Sequence, residues 1–227
     1  MNLTKLQKKI NFVFKNKDLL KEALTHRSFL NENPLWPFSH NERLEYLGDA
    51  VLELVVSEFL FYKYPKASEG QLTSFRAALV NYQMLSKIAR EIDLENYLFL
   101  SRGEAKDTGK ARDVILANTM EALIGAIYLD AGYKAAKKFI TKYVLSRLQE
   151  IIDSGLYQDV KSHLQEIIQE KLKITPSYRV LKESGPDHQK KFLVGVYFGD
   201  KLIAKGLGSS KQEAERKAAE EALTKIK

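Results

Sequence analysis

NERLEYLGDAVLEL, residues 41–54, sets carboxylates into an otherwise apolar helical pattern. At roughly 100° per residue, Leu44, Leu47, Val51, Leu54 and Val55 share one stripe. Glu42, Glu45 and Asp49 share the opposite side. Further along, Leu52 and Val56 continue that acidic side as an apolar one. The end of the helix is therefore expected to be buried, with its carboxylates at the edge of a packed region. Acidic residues at this spacing most often form a solvated face. The sharper reading is a cluster for hard cations, because like charges on one face repel and a divalent cation relieves the repulsion. Spacing alone leaves both open.

A second stretch, ILANTMEALIGAIYLD at 115–130, bears on the choice. Between Asp113 and Asp130 its one charge is Glu121 and its one amide is Asn118. The run is short for a membrane span and reads as a buried core helix. A buried carboxylate without compensation is costly, so Glu121 needs a partner. With Asn118 three residues before it, Glu121 could complete the acidic cluster, although spacing does not establish that the two helices pair. Donors made only of oxygen, with no cysteine and four scattered histidines, point to Mg²⁺ or Mn²⁺ rather than zinc.

The 227 residues allow one large domain or two smaller ones. A net charge of +7 favours a polyanionic partner such as nucleic acid. The absence of cysteine rules out disulfides and thiolate metal sites, and points to a reducing compartment, the cytoplasm. MNLTKLQKKI has no continuous apolar run, so no signal peptide and no membrane association are expected.

Residues 1–150 read as almost entirely helical. Residues 31–40 form a proline-containing loop, 41–64 a long helix stopped by Pro65, 101–112 a charged loop, and Tyr133–Ile152 a further amphipathic helix. Near 153–157 the pattern changes. Val160, Leu164, Ile167, Ile168 and Leu172 sit at helical spacing, and Pro176 follows. Tyr178 and Val180 alternate with polar residues, KFLVGVYF at 191–198 alternates as a buried strand, Gly199-Asp200 is a tight turn, and KLIAKG is a third strand. A last helix carries Ala214, Ala218, Ala222 and Ile226 on one face. The expected organisation is a mainly α domain over 1–152, a linker over 153–157, and an α+β domain of order αβββα over 158–227. The smaller part is the more basic per residue, with 14 Lys/Arg against 10 Asp/Glu.

NERLEYLGDA resembles the signature of the ribonuclease III family, departing from it only in having Tyr46 where Phe is usual. ALTHRSF at 23–29 is similar to the family's N-terminal motif, and ILANTMEALIGAIYLD to its second catalytic helix. The αβββα part resembles a double-stranded-RNA-binding domain, through KSHLQE at 161–166, GPDH at 185–188 and GLGSSKQEAERKAA at 206–219. The resemblance covers essentially the whole chain and matches the two-domain bacterial form.

It implies a Mg²⁺-dependent endonuclease of double-stranded RNA, working as a homodimer and leaving 5′-phosphates, 3′-hydroxyls and short 3′ overhangs. Ribosomal RNA precursors and other structured transcripts would be its substrates. Carried over residue by residue, the metal ligands would be Glu45, Asp49 and Glu121, with Asn118 beside them, and Asp49 and Glu121 central to catalysis. Glu42 and Glu69 match further acidic positions near the cleft, and Tyr46 an aromatic packed across the dimer interface. His26 matches the motif HRS and reads as structural or RNA-facing. RNA contacts would come from Gln165, from Pro186 and His188, and from Ser209, Ser210 and Lys211. SSKQEAER is also simply a capped, solvated helix start, with Ser as N-cap.

Asn118 departs from the family, where Asp is usual. Its oxygen can still bind a hard cation, with one negative charge fewer. The alternative is a non-catalytic duplex-RNA-binding protein that keeps the nuclease fold. The intact Glu45, Asp49 and Glu121 favour a working enzyme.

Overall fold

The computed structural model describes residues 2–154, 160–186 and 190–226. The chain divides into two compact units, Met1–Tyr157 and Gln158–Lys227. The larger holds α1 (Leu3–Ile10), α2 (Lys17–Ala23), α3 (Arg27–Glu32), α4 (Glu42–Lys63), α5 (Glu69–Val80), α6 (Tyr82–Glu91), α7 (Lys110–Tyr143) and α8 (Leu148–Asp153). Short 3₁₀ turns lie at Leu94–Tyr97, Glu104–Lys106 and Leu145–Arg147.

α4 and α7 form the centre. Leu44, Leu52, Val55 and Val56 of α4 share one core with Leu116, Met120, Leu123 and Ile127 of α7. The two backbones touch where they cross. A Cβ at Gly48 would stand 1.8 Å from the carbonyl oxygen of Glu121, and one at Gly125 would stand 2.2 Å from that of Leu44. Glycine inside a helix costs about 1 kcal/mol relative to alanine. Here it is the condition for the close approach.

The buried side of α4 keeps Leu44, Val51 and Val55 of the expected stripe and extends to Leu52 and Val56, but it leaves Leu54 outside. Leu54 is 58% exposed, while Leu52, Val56 and Leu60 are fully enclosed. Leu54 projects away because the crossing at Gly48 turns the Leu52–Val56 side onto α7. Glu45 and Asp49 continue that enclosed side toward the start of the helix.

Asn41, just before α4, is buried. Its backbone N–H donates to Thr25 O at 2.9 Å, and its side-chain amide donates to Ala23 O at 3.3 Å and reaches Thr119 Oγ1 at 3.5 Å. One residue thus ties α2 and α7 to the start of α4. Asn41→Leu leaves the Ala23 carbonyl without this donor and is expected to cost about 1–3 kcal/mol, measurable as a lower denaturant midpoint. An unchanged midpoint would show that the tie contributes nothing.

The structure differs from the expected boundaries around α7. The helix begins at Lys110, inside the expected loop, where buried Arg112 donates back to Ala105 O at 3.0 Å and anchors the first turn. It breaks at Gly132 (φ 76°, ψ −179°), resumes to Tyr143, and gives way to a 3₁₀ turn before α8. The single helix expected over Tyr133–Ile152 is therefore two, because the turn re-aims Val144, Leu145, Leu148 and Ile151 into the core. The stretch Lys110–Asp153 is long and apolar enough to cross a bilayer by composition, but its apolar side chains are largely enclosed within this unit. α8 carries the chain through Asp153, with Ser154 as its cap, and 155–157 of the expected linker lie outside the described residues.

The smaller unit has α9 (Val160–Leu172), β1 (Ser177–Ser184), β2 (Lys191–Phe198), β3 (Lys201–Gly208) and α10 (Lys211–Lys225). The strands form an antiparallel sheet in the order β1-β2-β3. Leu164 and Ile168 of α9 and Ala218, Ala219 and Ala222 of α10 pack on Val196 and Ala204. The alanine face lets α10 lie close, since a Cβ at Gly206 would stand 2.1 Å from Ala214 O. Ile226 lies just past the end of α10, half-buried against this core. A register shift between Val180 and Lys182 breaks the alternation expected along β1 and leaves Val180 and Leu181 exposed.

Candidate active site

The Gly48–Gly125 crossing brings the N-terminal half of α4 beside residues 118–121 of α7. Glu45, Asp49, Asn118 and Glu121 come together there, and each feels another. The Asn118 amide donates to the Glu45 carboxylate, which restrains a carboxyl that burial and Glu42 push upward. Burial and Glu53 raise Asp49. Glu121 is the most perturbed, pushed up to about 8 by burial first, then by Asp49, Glu45 and Glu53.

A carboxyl raised this far among other carboxylates is a site whose negative charge is uncompensated by the protein. Among the described residues no three Asp, Glu or His side chains are gathered as a preformed metal cage. The donor set nevertheless fits a hard divalent cation: three mutually repelling carboxylates and an amide oxygen. Glu53 was not singled out from the sequence. Its position one turn beyond Asp49, on the face that continues from the acidic residues, was the available signal.

The other expected site residues fall in different places. Glu42 is exposed at the rim, 3.6 Å from Arg27 and 3.7 Å from His40. Glu69 begins α5, accepts from Thr73 Oγ1 at 3.1 Å, and borders a cavity of about 230 Å³ with Ser57 and Phe61. Ser57 lies two turns beyond Asp49, about 12 Å along the axis, so the chain itself does not bring Glu69 to the cluster. His26 caps α3, with Nδ1 2.8 Å from Ser28 Oγ, and burial lowers its pKa. Tyr46 is 83% exposed and stands with Leu54 and Phe61 on the side of α4 turned away from the core.

In the smaller unit, Gln165 and Pro186 are exposed, and His188 lies outside the described residues. At the start of α10, Ser210 accepts from the Glu213 N–H at 3.1 Å as N-cap. The N–H and hydroxyl of Ser209 both donate to Glu213, at 2.7 and 2.6 Å. Lys217 and these Ser209 donors hold the Glu213 carboxyl down at about 2. Lys211 pairs with Glu183 at 3.2 Å. The helix start is thus a capped, internally satisfied one, and a phosphate there must exchange with Glu213 and Glu183.

Comparison with known proteins agrees with this arrangement. Residues 16–148 match a family described as ribonuclease-III-like, and residues 160–226 match the double-stranded RNA binding motif. Ribonuclease 3 of Carboxydothermus hydrogenoformans is 46% identical over 226 residues, covering 100% of this chain and 96% of the relative. Ribonuclease 3 of Borreliella burgdorferi is 45% identical over 221 residues, covering 97% and 90%. A solved nuclease domain of ribonuclease III from Campylobacter jejuni, described with a flexible region involved in dimer formation, superposes with a TM-score of 0.58 at 43% identity. It covers 64% of this chain and 97% of its own. A crossing that gathers the acidic residues, a separate αβββα unit and near-full-length identity to curated relatives together make this chain a member of the ribonuclease III family.

Proposed function

We propose that this chain, a double-stranded-RNA-specific endoribonuclease, holds Mg²⁺, or Mn²⁺ in its place, through Glu45, Asp49, Glu121 and the Asn118 oxygen. The observation that carries the reading is the α4–α7 crossing, which sets three mutually repelling carboxylates beside an amide on a chain that also bears an RNA-binding unit. Bound divalent cations supply an activated water and neutralise the phosphate and the leaving 3′-oxygen. Glu45 and Asp49 present their carboxylates from consecutive turns of α4. Glu121, deeper between the helices, gives up its proton when it takes a ligand's place. Asn118 orients Glu45 and carries no charge of its own. Glu42 lies at the rim with Arg27 and His40, where it adds negative charge next to Glu45.

The products are expected to carry 5′-phosphates, 3′-hydroxyls and short 3′ overhangs, from ribosomal RNA precursors and other structured transcripts. The exposed row of Tyr46, Leu54 and Phe61 supports a homodimer, each subunit cutting one strand. The cavity between Phe61 and Glu69 offers a seat for an aromatic of the second copy and would bring Glu69 to that interface. Gln165, Pro186, His188, Ser209, Ser210 and Lys211 are the proposed RNA contacts. A cysteine-free chain acting on transcripts supports a cytoplasmic location.

Incubation with a long RNA duplex across a wide Mg²⁺ range tests the activity, and no cleavage at any concentration would overturn it. The non-catalytic reading is disfavoured by identity to Ribonuclease 3 chains along the whole length. Asn118→Asp separates the two further. It adds a charged ligand and removes the amide donor to Glu45. Half-maximal cleavage is expected at severalfold lower Mg²⁺, with similar turnover at saturation. Duplex binding without cutting in both forms would favour the non-catalytic reading.

A further inference from the structure

The RNA-binding unit has two ends, joined by the eight residues of β2, roughly 25 Å of strand. The proposed RNA contacts at Pro186 and at the start of α10 stand at the Lys191 end. At the other end, the β2–β3 turn meets the last turns of α9 and α10. There a cavity of about 500 Å³ opens to solvent, with Leu172, Phe198, Leu202 and Ile226 among its apolar lining. Leu172 is 53% exposed and Leu202 38% exposed. Leu172 is left outward because α9 ends at it and Lys173 turns the chain with φ 58°.

Three lysines, Lys171, Lys201 and Lys225, also line this cavity. Lys225 is held by Glu221 at 3.3 Å and by Ile203 O at 3.3 Å. Among the described residues, no hydrogen bond or ion pair engages the ammonium of Lys171 or Lys201. A volume of this size accepts one or two large side chains. A-form RNA offers phosphates and 2′-hydroxyls but no apolar group to enter it. What complements an apolar cavity edged by unpaired ammonium groups is an apolar side chain flanked by carboxylates.

We propose that this end of the unit is a docking surface for an acidic, amphipathic peptide segment of a partner protein. An apolar anchor enters between Leu172, Phe198 and Leu202, and flanking Asp or Glu side chains meet Lys171 and Lys201. The surface lies at the opposite end of β2 from the proposed RNA contacts at Pro186 and the start of α10, and two helical turns, about 10 Å, beyond Gln165 along α9; peptide and duplex are expected to bind together. The inference stands whether or not the chain cleaves RNA.

The test uses the full-length protein and a fluorescein-labelled peptide of alternating Leu and Glu, followed by anisotropy. Two control peptides replace Glu by Gln or Leu by Ala. Saturable binding is expected, at least tenfold weaker for each control peptide. Lys171→Glu with Lys201→Glu, and separately Leu202→Asp, are expected to weaken binding at least tenfold while leaving duplex cleavage unchanged. Saturating RNA duplex is expected to leave peptide affinity within twofold. Absence of binding, equal binding of the Leu-to-Ala control, or indifference to both sets of substitutions would overturn the proposal. So would displacement of the peptide by duplex, which would place it on the RNA face. Binding to vesicles of phosphatidylglycerol that the same substitutions abolish, with no peptide binding, would reassign the surface to lipid.

Discussion

Glu121→Gln is expected to abolish cleavage of an RNA duplex, by about 10³-fold or more, and at the same time to raise the melting temperature of the metal-free protein near pH 9. Both effects come from one carboxyl. Burial and the neighbouring charges of Asp49, Glu45 and Glu53 lift it from 4.5 to about 8. A carboxyl whose folded-state pKa exceeds its unfolded value favours the fold fully below the unfolded pKa. That contribution shrinks as pH rises from about 4.5 to 8 and is gone above the folded value. Glutamine keeps the shape and never ionises. The two proteins should therefore melt together near pH 4, and the variant should be more stable by on the order of 1–3 kcal/mol near pH 9. Saturating Mg²⁺ should raise the melting temperature of the unsubstituted protein more than that of the variant, because a cation relieves repulsion that glutamine has already removed. Equal melting at pH 9 would sink the account of Glu121 as a strained anion. Cleavage within tenfold of the unsubstituted level would sink its role as a ligand.

Gly48→Ala is expected to have the other large effect, on fold and activity together. The added carbon would stand 1.8 Å from Glu121 O and 2.8 Å from Gly125 N, both backbone atoms. No rotamer change relieves such a contact, so α4 and α7 must separate. A cost of about 3 kcal/mol or more is expected. Cleavage is expected to fall more than about 100-fold even where the chain stays folded, since a displacement near 1 Å at a positioned site is that damaging. Gly125→Ala, which meets Leu44 O at 2.2 Å, should behave alike. A thermal melt within about one degree of the unsubstituted protein would show that the helices are not in backbone contact.

These two residues also explain how much of the candidate site is legible in the sequence. Glu45, Asp49 and Glu121 were legible because carboxylates on apolar helices are unusual and need a reason. That their helices meet was not legible from spacing. The signal lay in Gly48 and Gly125, poor helix formers inside two strong helical patterns, which only a close crossing explains. Leu54 leaves its stripe because the face that becomes buried is chosen by the partner helix, which the pattern of one helix does not show. The end of α7 is not legible in the sequence because a helical spacing of apolar residues survives a 3₁₀ turn. At α10, hydrogen bonding from Ser209 to Glu213 decides how ready the helix start is for phosphate, and that depends on rotamers no sequence displays.

Gly132 is required for the opposite reason to Gly48. A Cβ there would meet nothing within 4 Å, yet its backbone sits at φ 76°, ψ −179°. The mirror image of that conformation is the extended one that ordinary residues adopt freely. At Gly132 the main chain has inverted handedness, so the position discriminates by chirality and not by size. A D-alanine placed there by chemical ligation would sit unstrained, and its narrower conformational range in the unfolded chain would favour the fold, where an L-alanine of identical volume would be strained.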